Sequence, residues 1–348
     1  MPLLRVDAAR LPLRTPLRTT WGDLHQRDVL TVRLTWDGDD YGLGEAAPLE
    51  HHDGVSLPAV RAALEVHREV LRRMPAAASH IELLAACAAE RPLPQALAAI
   101  DCALWDRAGR LAGRPVAELL DRGAPRGVPV NATIGAHDPV YAAAEAYRAA
   151  MAGYQCVKVR VGVGDDEARV MAVRQAVGPR VAIRIDAGGA WQDAHEALTV
   201  LQTLTAAGIE LAEEPLVDDG EMAELRSESP IPIAVDAFDP QSPAGGFGPG
   251  IVRLRVAACG GITGLLQQAR EARRAGAQVY VASSFDGPLG VAAGIHAAAA
   301  LLAQAPMPAC GLATLGMFHE HAHMLPVDNG SVQVPSEPGL LGTTTRVK

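Results

Sequence analysis

Three carboxylates end three successive β-like runs in the second half of the chain: Asp186, Glu213 and Asp236. When parallel strands form one sheet, their carboxyl ends meet at the same edge, so we expect these acids to converge and to repel one another unless a cation is present. Carboxylate oxygens, completed by water and substrate oxygens, are the ligands that Mg²⁺ prefers. The pattern predicts one Mg²⁺ held by the three acids. The alternative is that each acid caps the helix that follows it.

Basic residues recur at a spacing of two in two other runs. Lys158 and Arg160 are separated by one valine, and Arg253 and Arg255 by one leucine. Residues two apart on a strand share a face. Because the outside of a helix-covered barrel must be apolar, both pairs are predicted to point inward, where an acid cluster or an anionic substrate offsets their charge. The alternative is a purely structural network of salt bridges.

The runs that carry these residues belong to a regular alternation of strand-like and helix-like segments. This alternation predicts the α/β class and a (β/α)7β TIM-like barrel over residues 128–324. A doubly wound open sheet is the alternative, but no Gly-x-Gly-x-x-Gly motif follows the first run. Residues 237–250 are rich in Gly and Pro, which predicts that the fifth helix is lost or reduced to a turn. The strand-like runs are 128–134, 156–161, 181–186, 209–213, 231–236, 251–256, 279–283 and 309–313.

Residues 1–127 differ from the rest of the chain and are predicted to form an α+β capping domain. Val29–Leu34 and Tyr41–Glu45 are β-rich runs joined by the turn Asp37–Asp40, which indicates a hairpin. From residue 56 to residue 120, apolar residues recur at three- and four-residue spacing, as is typical of helices. Residues 325–348 contain short β-like runs and turns, and are predicted to return to the capping domain.

Composition limits the classes of protein that fit. The 348 residues are 49% hydrophobic and 4% aromatic, with a formal net charge of −9 at pH 7. The negative charge and the lack of a basic run argue against a nucleic-acid partner. Five scattered cysteines are typical of reduced core thiols, with a reactive thiol as the alternative. The N-terminus lacks the apolar core of a signal peptide and the apolar stretches are too short to span a membrane, which predicts a cytoplasmic protein without a membrane partner.

Several motifs together resemble the enolase superfamily, and within it the muconate-lactonizing branch. They are Gly42–Pro48, Ala99–Asp106, Lys158–Arg160, Asp186–Trp191, Gly260–Gly261, Val281–Ser284 and Ala309–Leu312. The chain is most similar to o-succinylbenzoate synthases of actinobacterial type. This resemblance implies one Mg²⁺ and a small anionic carboxylate as substrate. It also implies removal of the proton next to that carboxylate and then dehydration, which is the carbon–oxygen lyase step of menaquinone synthesis.

Three positions depart from the pattern of that family. The synthases have a lysine where this chain has Arg160, as acid and base, and another where it has Arg255, to stabilise the intermediate. Arginine is a poor base, since its neutral fraction at pH 7 is on the order of one in a hundred thousand or less. Arg255 is therefore predicted to act as an electrostatic clamp, and Lys158, the retained lysine, is the candidate base. The third departure is Ala237, where the family usually has Glu.

Further candidate residues lie outside these strands. Asp286 is predicted either to be a second acid or base or to cap the next helix. Ser283 and Ser284, which precede it, and His51, in the loop after the hairpin, are predicted to bind substrate. Asp286 follows the seventh run and is expected at the barrel mouth. The family resemblance implies that the loop of the capping domain with His51, His52 and Asp53 contacts substrate, and the alternative is that this loop is solvated.

Three functions are compatible with these residues. The first is an active lyase of the synthase type. The second is an enzyme of the same fold with a different substrate, such as a racemase, an epimerase or a cycloisomerase. The third is a non-catalytic descendant that binds an anionic ligand or a partner. The three clustered acids argue against the third function and the two arginines against the first. A homo-oligomer is compatible with the sequence.

Overall fold

A computed structural model of the chain describes residues 1–19, 21–37, 39–216, 219–236 and 250–342. Ala237 and the Gly- and Pro-rich segment that follows it lie outside these residues. The predictions made for them, a departure from the family pattern and a lost fifth helix, concern this part of the chain.

A three-stranded antiparallel sheet begins the capping domain. Its strands pair in the order β1-β2-β3, and the predicted hairpin corresponds to the pair β2 and β3. The sequence pattern did not indicate β1, because prolines and charged residues interrupt its alternation and its register with β2 shifts between Pro12 and Leu17. The strands are β1 (Leu3–Thr19), β2 (Gly22–Thr35) and β3 (Tyr41–Ala46).

Five helices follow this sheet, and the second and fourth of them pack against it. Gly42 and Gly44 let β3 approach the fourth of these helices closely, because a Cβ atom at either position would overlap a backbone carbonyl oxygen, that of Ala103 or of Ala99. The prediction that His51 lies in a loop is wrong, since it belongs to a short helix. The helices are α1 (Glu50–Asp53), α2 (Leu57–Arg73), α3 (His80–Glu90), α4 (Pro94–Ala112) and α5 (Val116–Leu120).

The second part of the chain forms a barrel-like parallel sheet of seven strands. The strands are neighbours in chain order, and helices cover the outside. This confirms the predicted class, a TIM-like barrel with an N-terminal capping domain. The elements are β5 (Ala132–Ile134), α6 (Pro139–Met151), β6 (Cys156–Arg160), α7 (Asp166–Val177), β7 (Ala182–Asp186), α8 (Ala194–Leu204), β8 (Ile209–Glu213), α9 (Met222–Glu228), β9 (Ile233–Asp236), β10 (Ile251–Arg255), α10 (Ile262–Arg274), β11 (Gln278–Ala282) and α11 (Pro288–Gln304). Short 3₁₀ turns lie at Thr205–Ala207, Asp219–Glu221 and Leu315–Met317.

Two of the predicted strands are corrected by the structure. The run 309–313 is not a strand: within it, Cys310 and Gly311 form single parallel bridges to Val130 and Ala282, which link β11 to the segment just before β5. The run 128–134 is divided, because its first part is β4 (Gly127–Pro129) and belongs to another sheet. That sheet has the order β12-β13-β4, with β12 (Val327–Asp328) and β13 (Ser331–Gln333).

Apolar residues on the outer face of the barrel pack against the helices. Val157, Val159, Ile183 and Ile185 are fully buried in this layer. The five cysteines are also buried, and each is a free thiol. Among the described residues, no helix is both long enough and apolar enough to cross a membrane.

Two buried aspartates of α4 tie distant parts of the chain together. Asp101 accepts hydrogen bonds from the backbone N–H and the hydroxyl of Thr263, at the start of α10. Asp106 accepts from the backbone N–H of Leu43 in β3 and from that of Leu340 near the C-terminus. Because α4 belongs to the capping domain, these bonds join it to the barrel and to the C-terminal segment.

Candidate functional site

Three carboxylates close the ends of neighbouring barrel strands. Asp186 is the last residue of β7, Glu213 of β8 and Asp236 of β9. The register of β7 with β8 places Asp186 directly beside Glu213. The acid cluster that the sequence predicts at this edge is present, because these parallel strands end at the same level.

Two basic side chains of β6 point into this cluster. Lys158 Nζ lies 3.0 Å from Asp186 Oδ2 and 3.0 Å from Glu213 Oε2. Arg160 Nη1 lies 2.7 Å from Asp186 Oδ1. Both side chains are therefore inward, as their spacing predicts.

Two arginines of β10 enter the cluster from the other side. Arg253 pairs in register with Asp236 and is 5% exposed. Its Nε and Nη2 donate to Asp236 Oδ1 at 2.5 Å and Oδ2 at 2.8 Å, and its Nη1 donates to Glu213 Oε2 at 2.6 Å. Arg255 donates to Asp236 Oδ2 at 2.7 Å and to Ser284 Oγ at 3.2 Å. Asp236 is thus shared by two guanidinium groups.

A fourth carboxylate joins the cluster through an unusual backbone angle. In a regular strand, consecutive side chains point to opposite faces. Glu214 directly follows Glu213, yet its carboxylate also contacts the guanidinium of Arg253. The φ of Glu214 is 45°, in the left-handed region that residues other than glycine adopt only rarely. The chain turns at this residue, and two consecutive acids reach one arginine.

Burial and charge act in opposite directions on these groups. Burial by itself raises the pKa of Asp186, but Lys158 and Arg160 lower it well below the ordinary value. Asp236 responds in the same way, with Arg253 as the main cation that lowers its pKa. Burial by itself lowers the pKa of Lys158, but Asp186 and then Glu213 raise it above the ordinary value. The two aspartates are therefore ionised and Lys158 is protonated near neutral pH.

The capping domain covers this mouth and leaves a cavity of about 360 Å³, a volume typical of sites for small molecules. Its apolar wall comes from Leu17 in β1, Trp21 in the turn between β1 and β2, and Leu49 just before α1. The ring of His51 stacks on Trp21 with a centroid distance of 4.5 Å. His52 Nε2 lies 3.5 Å from Glu214 Oε1, and burial followed by the charge of Arg255 lowers its pKa. The cavity is thus apolar towards the cap and charged towards the barrel.

Most of the predicted site residues meet at this cavity. Glu213 lies beneath its floor and is 1% exposed. The residues that line it are His51, Lys158, Arg160, Asp186, Asp236, Arg255, Ser283 and Ser284. Geometry therefore brings together the predicted acids, the predicted basic residues and the predicted substrate-binding residues.

Asp286, predicted to be an acid, a base or a helix cap, lies elsewhere. Among the described residues, it is not part of the cavity lining. It is buried at the joint between cap and barrel, where the buried Arg27 and Glu45 approach it. Glu45 Oε1 accepts a hydrogen bond of 2.6 Å from the backbone N–H of Gly287. Burial, and next the charge of Asp286, raises the pKa of Glu45 to about 8. The structure therefore places Asp286 in the joint and not in the cavity.

The predicted site residues leave out several residues that line this cavity, among them Trp21, His52, Glu214 and Arg253. Arg253 has a signal in the sequence, since it is in phase with Arg255 on the same strand. Glu214 has none, because a regular strand would turn it away from Glu213. His52 directly follows the predicted residue His51 in the capping domain. Trp21 lies between β1 and β2, and no motif in the sequence indicates its position.

The donor set can be compared with the requirements of Mg²⁺, which needs near-octahedral oxygen ligands at about 2.0–2.1 Å. Among the described residues, the ligand atoms that approach one another within 4.8 Å belong to His52, Glu214 and Asp236. These are not the predicted set of Asp186, Glu213 and Asp236. The oxygens of the predicted set accept hydrogen bonds from Lys158 and from arginines. As arranged, this triad does not fit Mg²⁺.

Two family models match the chain. The model for the enolase C-terminal domain-like family matches residues 141–345. The model for the N-terminal domain of mandelate racemase / muconate lactonizing enzyme matches residues 4–121. The chain therefore belongs to the enolase superfamily, with both domains of the mandelate racemase and muconate lactonizing enzyme type.

Relatives within this superfamily have different activities. An N-succinyl-L-Arg/Lys racemase of Bacillus cereus is 29% identical over 85% of this chain and 83% of its own length. The solved structure of the racemase superposes with a TM-score of 0.85, at 26% identity over 97% of this chain and 93% of that chain. An o-succinylbenzoate synthase of Thermobifida fusca is 39% identical over 55% of this chain and 61% of its own length. A dipeptide epimerase of Methylococcus capsulatus, solved with Mg and the dipeptide L-Arg-D-Lys, has a TM-score of 0.82, at 26% identity over 97% of this chain and 98% of that chain.

Proposed function

We propose that this protein is a carbon–oxygen lyase that binds a small carboxylate in the cavity between cap and barrel, with chemistry similar to that of o-succinylbenzoate synthase. The observation that carries the proposal is an asymmetry across the cavity. The β6 side offers an amine, that of Lys158, whereas the β10 side offers only the guanidinium groups of Arg253 and Arg255.

This asymmetry favours a reaction that needs proton transfer on one face of the substrate. A racemase or epimerase that works with two bases removes a proton on one face and returns one on the other. An arginine holds its proton across the physiological pH range, so the β10 side is poorly suited to either step. A lyase that eliminates water from one face needs one group that transfers protons, and a cation opposite it is sufficient.

In this proposal the lysine and the arginines of the cavity have different roles. Lys158 is the amine that reaches the cavity from β6. Because Asp186 and Glu213 keep it protonated in the resting site, it acts in the minor fraction of molecules in which it has lost its own proton. It then takes the proton next to the substrate carboxylate and returns it to the departing hydroxyl, which leaves as water. Arg160 and Arg255 hold the carboxylate and meet the negative charge that develops on it, as preorganised cations do in a site shielded from water. Ser283, Ser284 and His51 position the rest of the substrate. No step passes through Mg²⁺, and Asp286 has no part in the reaction.

A racemase or epimerase acting on an N-acylated amino acid is the second candidate. It is supported by the extent of the similarity, since the Bacillus cereus racemase aligns over 85% of this chain and the Thermobifida fusca synthase over 55%. In that case both faces of the substrate exchange protons.

Incubation in D₂O followed by NMR separates the two candidates. With the cyclohexadiene carboxylate substrate of o-succinylbenzoate synthases, a lyase forms o-succinylbenzoate. With N-succinyl-L-arginine, a racemase introduces deuterium at the α-carbon and produces the D-isomer. Exchange with inversion and no elimination would reject the lyase.

Variants test the assigned roles in the same assay. Lys158→Met should lower the rate by about 10²-fold or more, in line with the loss of a general acid or base. The double variant Arg160→Lys with Arg255→Lys should raise o-succinylbenzoate formation above that of the native chain, because it restores amines on both strands. Unchanged activity in Lys158→Met would show that another group transfers the proton.

A further inference from the structure

Arg253 lies at the centre of the acid cluster. Its guanidinium contacts Glu213 and Glu214 at the end of β8 and Asp236 at the end of β9. Two of its nitrogens face the two oxygens of Asp236, at 2.5 and 2.8 Å. Such a fork of parallel hydrogen bonds is the strongest geometry available to an arginine and a carboxylate. A single buried side chain thus joins three of the acids.

The remaining charges of the cluster also balance. Every carboxylate of the set contacts at least one basic side chain, and the described residues supply as many cations as anions. The carboxylates are Asp186, Glu213, Glu214 and Asp236, and the cations are Lys158, Arg160, Arg253 and Arg255. The cluster is therefore neutral with the side chains of the protein alone.

A divalent ion would disturb this balance. To coordinate Glu213 and Asp236, Mg²⁺ would have to displace Arg253 from both. The displaced guanidinium would remain buried beside a doubly charged ion, and a buried charge without a partner is strongly unfavourable. Mg²⁺ also gives up its water ligands reluctantly, so it gains little from carboxylates that are already neutralised.

We propose that Arg253 is the resident cation of this site, that it takes the place of a divalent metal, and that the acid cluster of the free protein is held together without Mg²⁺. The inference concerns the resting site and does not depend on the proposed reaction. It also implies that the acids retain the potential to bind a metal, which becomes accessible when Arg253 is removed.

The experiment compares metal uptake by the native chain, Arg253→Met and Arg184→Met, with Mn²⁺ as the probe. Methionine removes the charge and keeps much of the length of the side chain. Arg184 is a matched control, because it is a fully buried arginine of β7 that pairs with Glu210 at 2.6 Å, one inward position deeper than Asp186. Its loss weakens the barrel without exposing the four acids. Uptake is followed by the loss of the EPR signal of free Mn²⁺, and in parallel by the thermal midpoint with MgCl₂ against NaCl of equal ionic strength.

The native chain and Arg184→Met should bind no stoichiometric Mn²⁺ and show no shift specific to MgCl₂. Arg253→Met should bind one Mn²⁺ per chain and show a saturable rise of its midpoint with MgCl₂. Uptake of one Mn²⁺ by the native chain, abolished by Glu213→Gln, would overturn the proposal. So would a folded Arg253→Met that binds no metal, because the acids would then not form a ligand set. If Arg253→Met does not fold, the measurement on the native chain still decides, and Arg253→Asn replaces it.

Discussion

Two groups of buried or half-buried carboxyls lie at the same end of this barrel and have opposite pKa shifts. In the cluster below the cavity, the pKa of Asp186 and that of Asp236 are lowered. At the joint between cap and barrel, the pKa of Glu45 is raised to about 8 and that of Asp286 is raised as well. Burial acts in the same direction in both groups, so it does not explain the difference.

The number of basic side chains that contact each carboxyl explains the difference between the pKa shifts. Asp186 and Asp236 each contact two basic side chains. At the joint, one arginine, Arg27, faces two carboxyls, and its guanidinium is used by the backbone carbonyls of Ala47 and Pro48. Near neutral pH Asp186 and Asp236 are therefore ionised, whereas Glu45 keeps its proton. The comparison teaches that a buried acid is charged here only where the chain places a cation directly beside it.

The largest loss of stability is expected when one charged side chain is removed from the acid cluster. Glu213→Met leaves Lys158 and Arg253 each short of one partner, and loss of one partner from a buried pair costs about 3–5 kcal/mol. Urea denaturation measures this loss. The double variant Glu213→Met with Arg253→Met should lose less than the sum of the two single variants, because the two groups interact directly. Strict additivity would contradict the contact between them.

The stability of the folded chain should depend on pH through the carboxyl of Glu45 at the joint between cap and barrel. Because folding raises the pKa of Glu45 from 4.5 to about 8, the contribution of this group to stability is fully present below pH 4.5 and is lost as the pH rises towards 8. Glu45→Gln stays neutral at every pH. Relative to the native chain it should gain stability from pH 5 to pH 9, on the order of 2–4 kcal/mol at about 1.4 kcal/mol per pKa unit.

Urea midpoints at the two pH values test this prediction, with Glu90→Gln on the exposed surface of α3 as the control. The control should show no such gain. If the stability of Glu45→Gln relative to the native chain were the same at pH 5 and at pH 9, folding would not raise the pKa of Glu45.

A smaller effect should follow from crowding one arginine of the cluster. Gly188 has a φ of 55°, and a Cβ atom there would collide with the guanidinium of Arg160. Gly208 has a φ of 63°, but its Cβ would meet nothing within 4 Å. Both substitutions by Ala carry the cost of left-handed backbone, about 1–2 kcal/mol. Gly188→Ala should cost about 1 kcal/mol more, since overpacking adds to the strain. Equal losses would show that Arg160 moves aside freely.

The smallest effect concerns a single hydrogen bond, donated by a guanidinium to a hydroxyl group. Ser284→Ala removes the acceptor of the 3.2 Å bond from Arg255, which should lower stability by about 1 kcal/mol or less, because the guanidinium keeps its bond to Asp236. Ser283→Ala is the matched control, since Ser283 Oγ accepts from the backbone N–H of Asp286 and not from an arginine. In the proposed lyase, Ser284→Ala should raise KM for the carboxylate more than Ser283→Ala does. The reverse order would remove Ser284 from the binding role.

Much of the fold can be predicted from the regular spacing of residues along the strands. Asp186 and Glu213 end neighbouring parallel strands, which predicts that they lie at the same edge of the sheet. Lys158 and Arg160 are two residues apart on one strand, which predicts that both face inward. Both rules hold because they come from the repeat of the β-strand and from the parallel order of the sheet. β1 escapes the same rules, since Pro12 and Pro16 interrupt its alternation.

The parts that were not predictable depend on contacts between distant segments or on a single backbone angle. The partner of Arg253 cannot be read from its own strand, because Glu214 reaches it through a φ of 45°. The position of Asp286 depends on the contact between Glu45 of the cap and the start of α11. Neither sequence segment indicates that contact. The sequence predicts that Arg253 faces inward, but it does not predict the direct ion pairs of this residue with Glu213 and Asp236, the proposed ligands of Mg²⁺.

The shared use of Asp106 has a consequence for how this molecule unfolds. One oxygen of its carboxylate holds β3 of the cap, and the other holds Leu340, which follows the whole barrel in sequence. A cleavage or a mutation near the C-terminus would therefore destabilise the capping domain, although more than two hundred residues of chain separate Leu340 from Asp106. The two domains are expected to melt in one cooperative transition instead of two. Calorimetry of Asp106→Asn should resolve that single transition into separate steps.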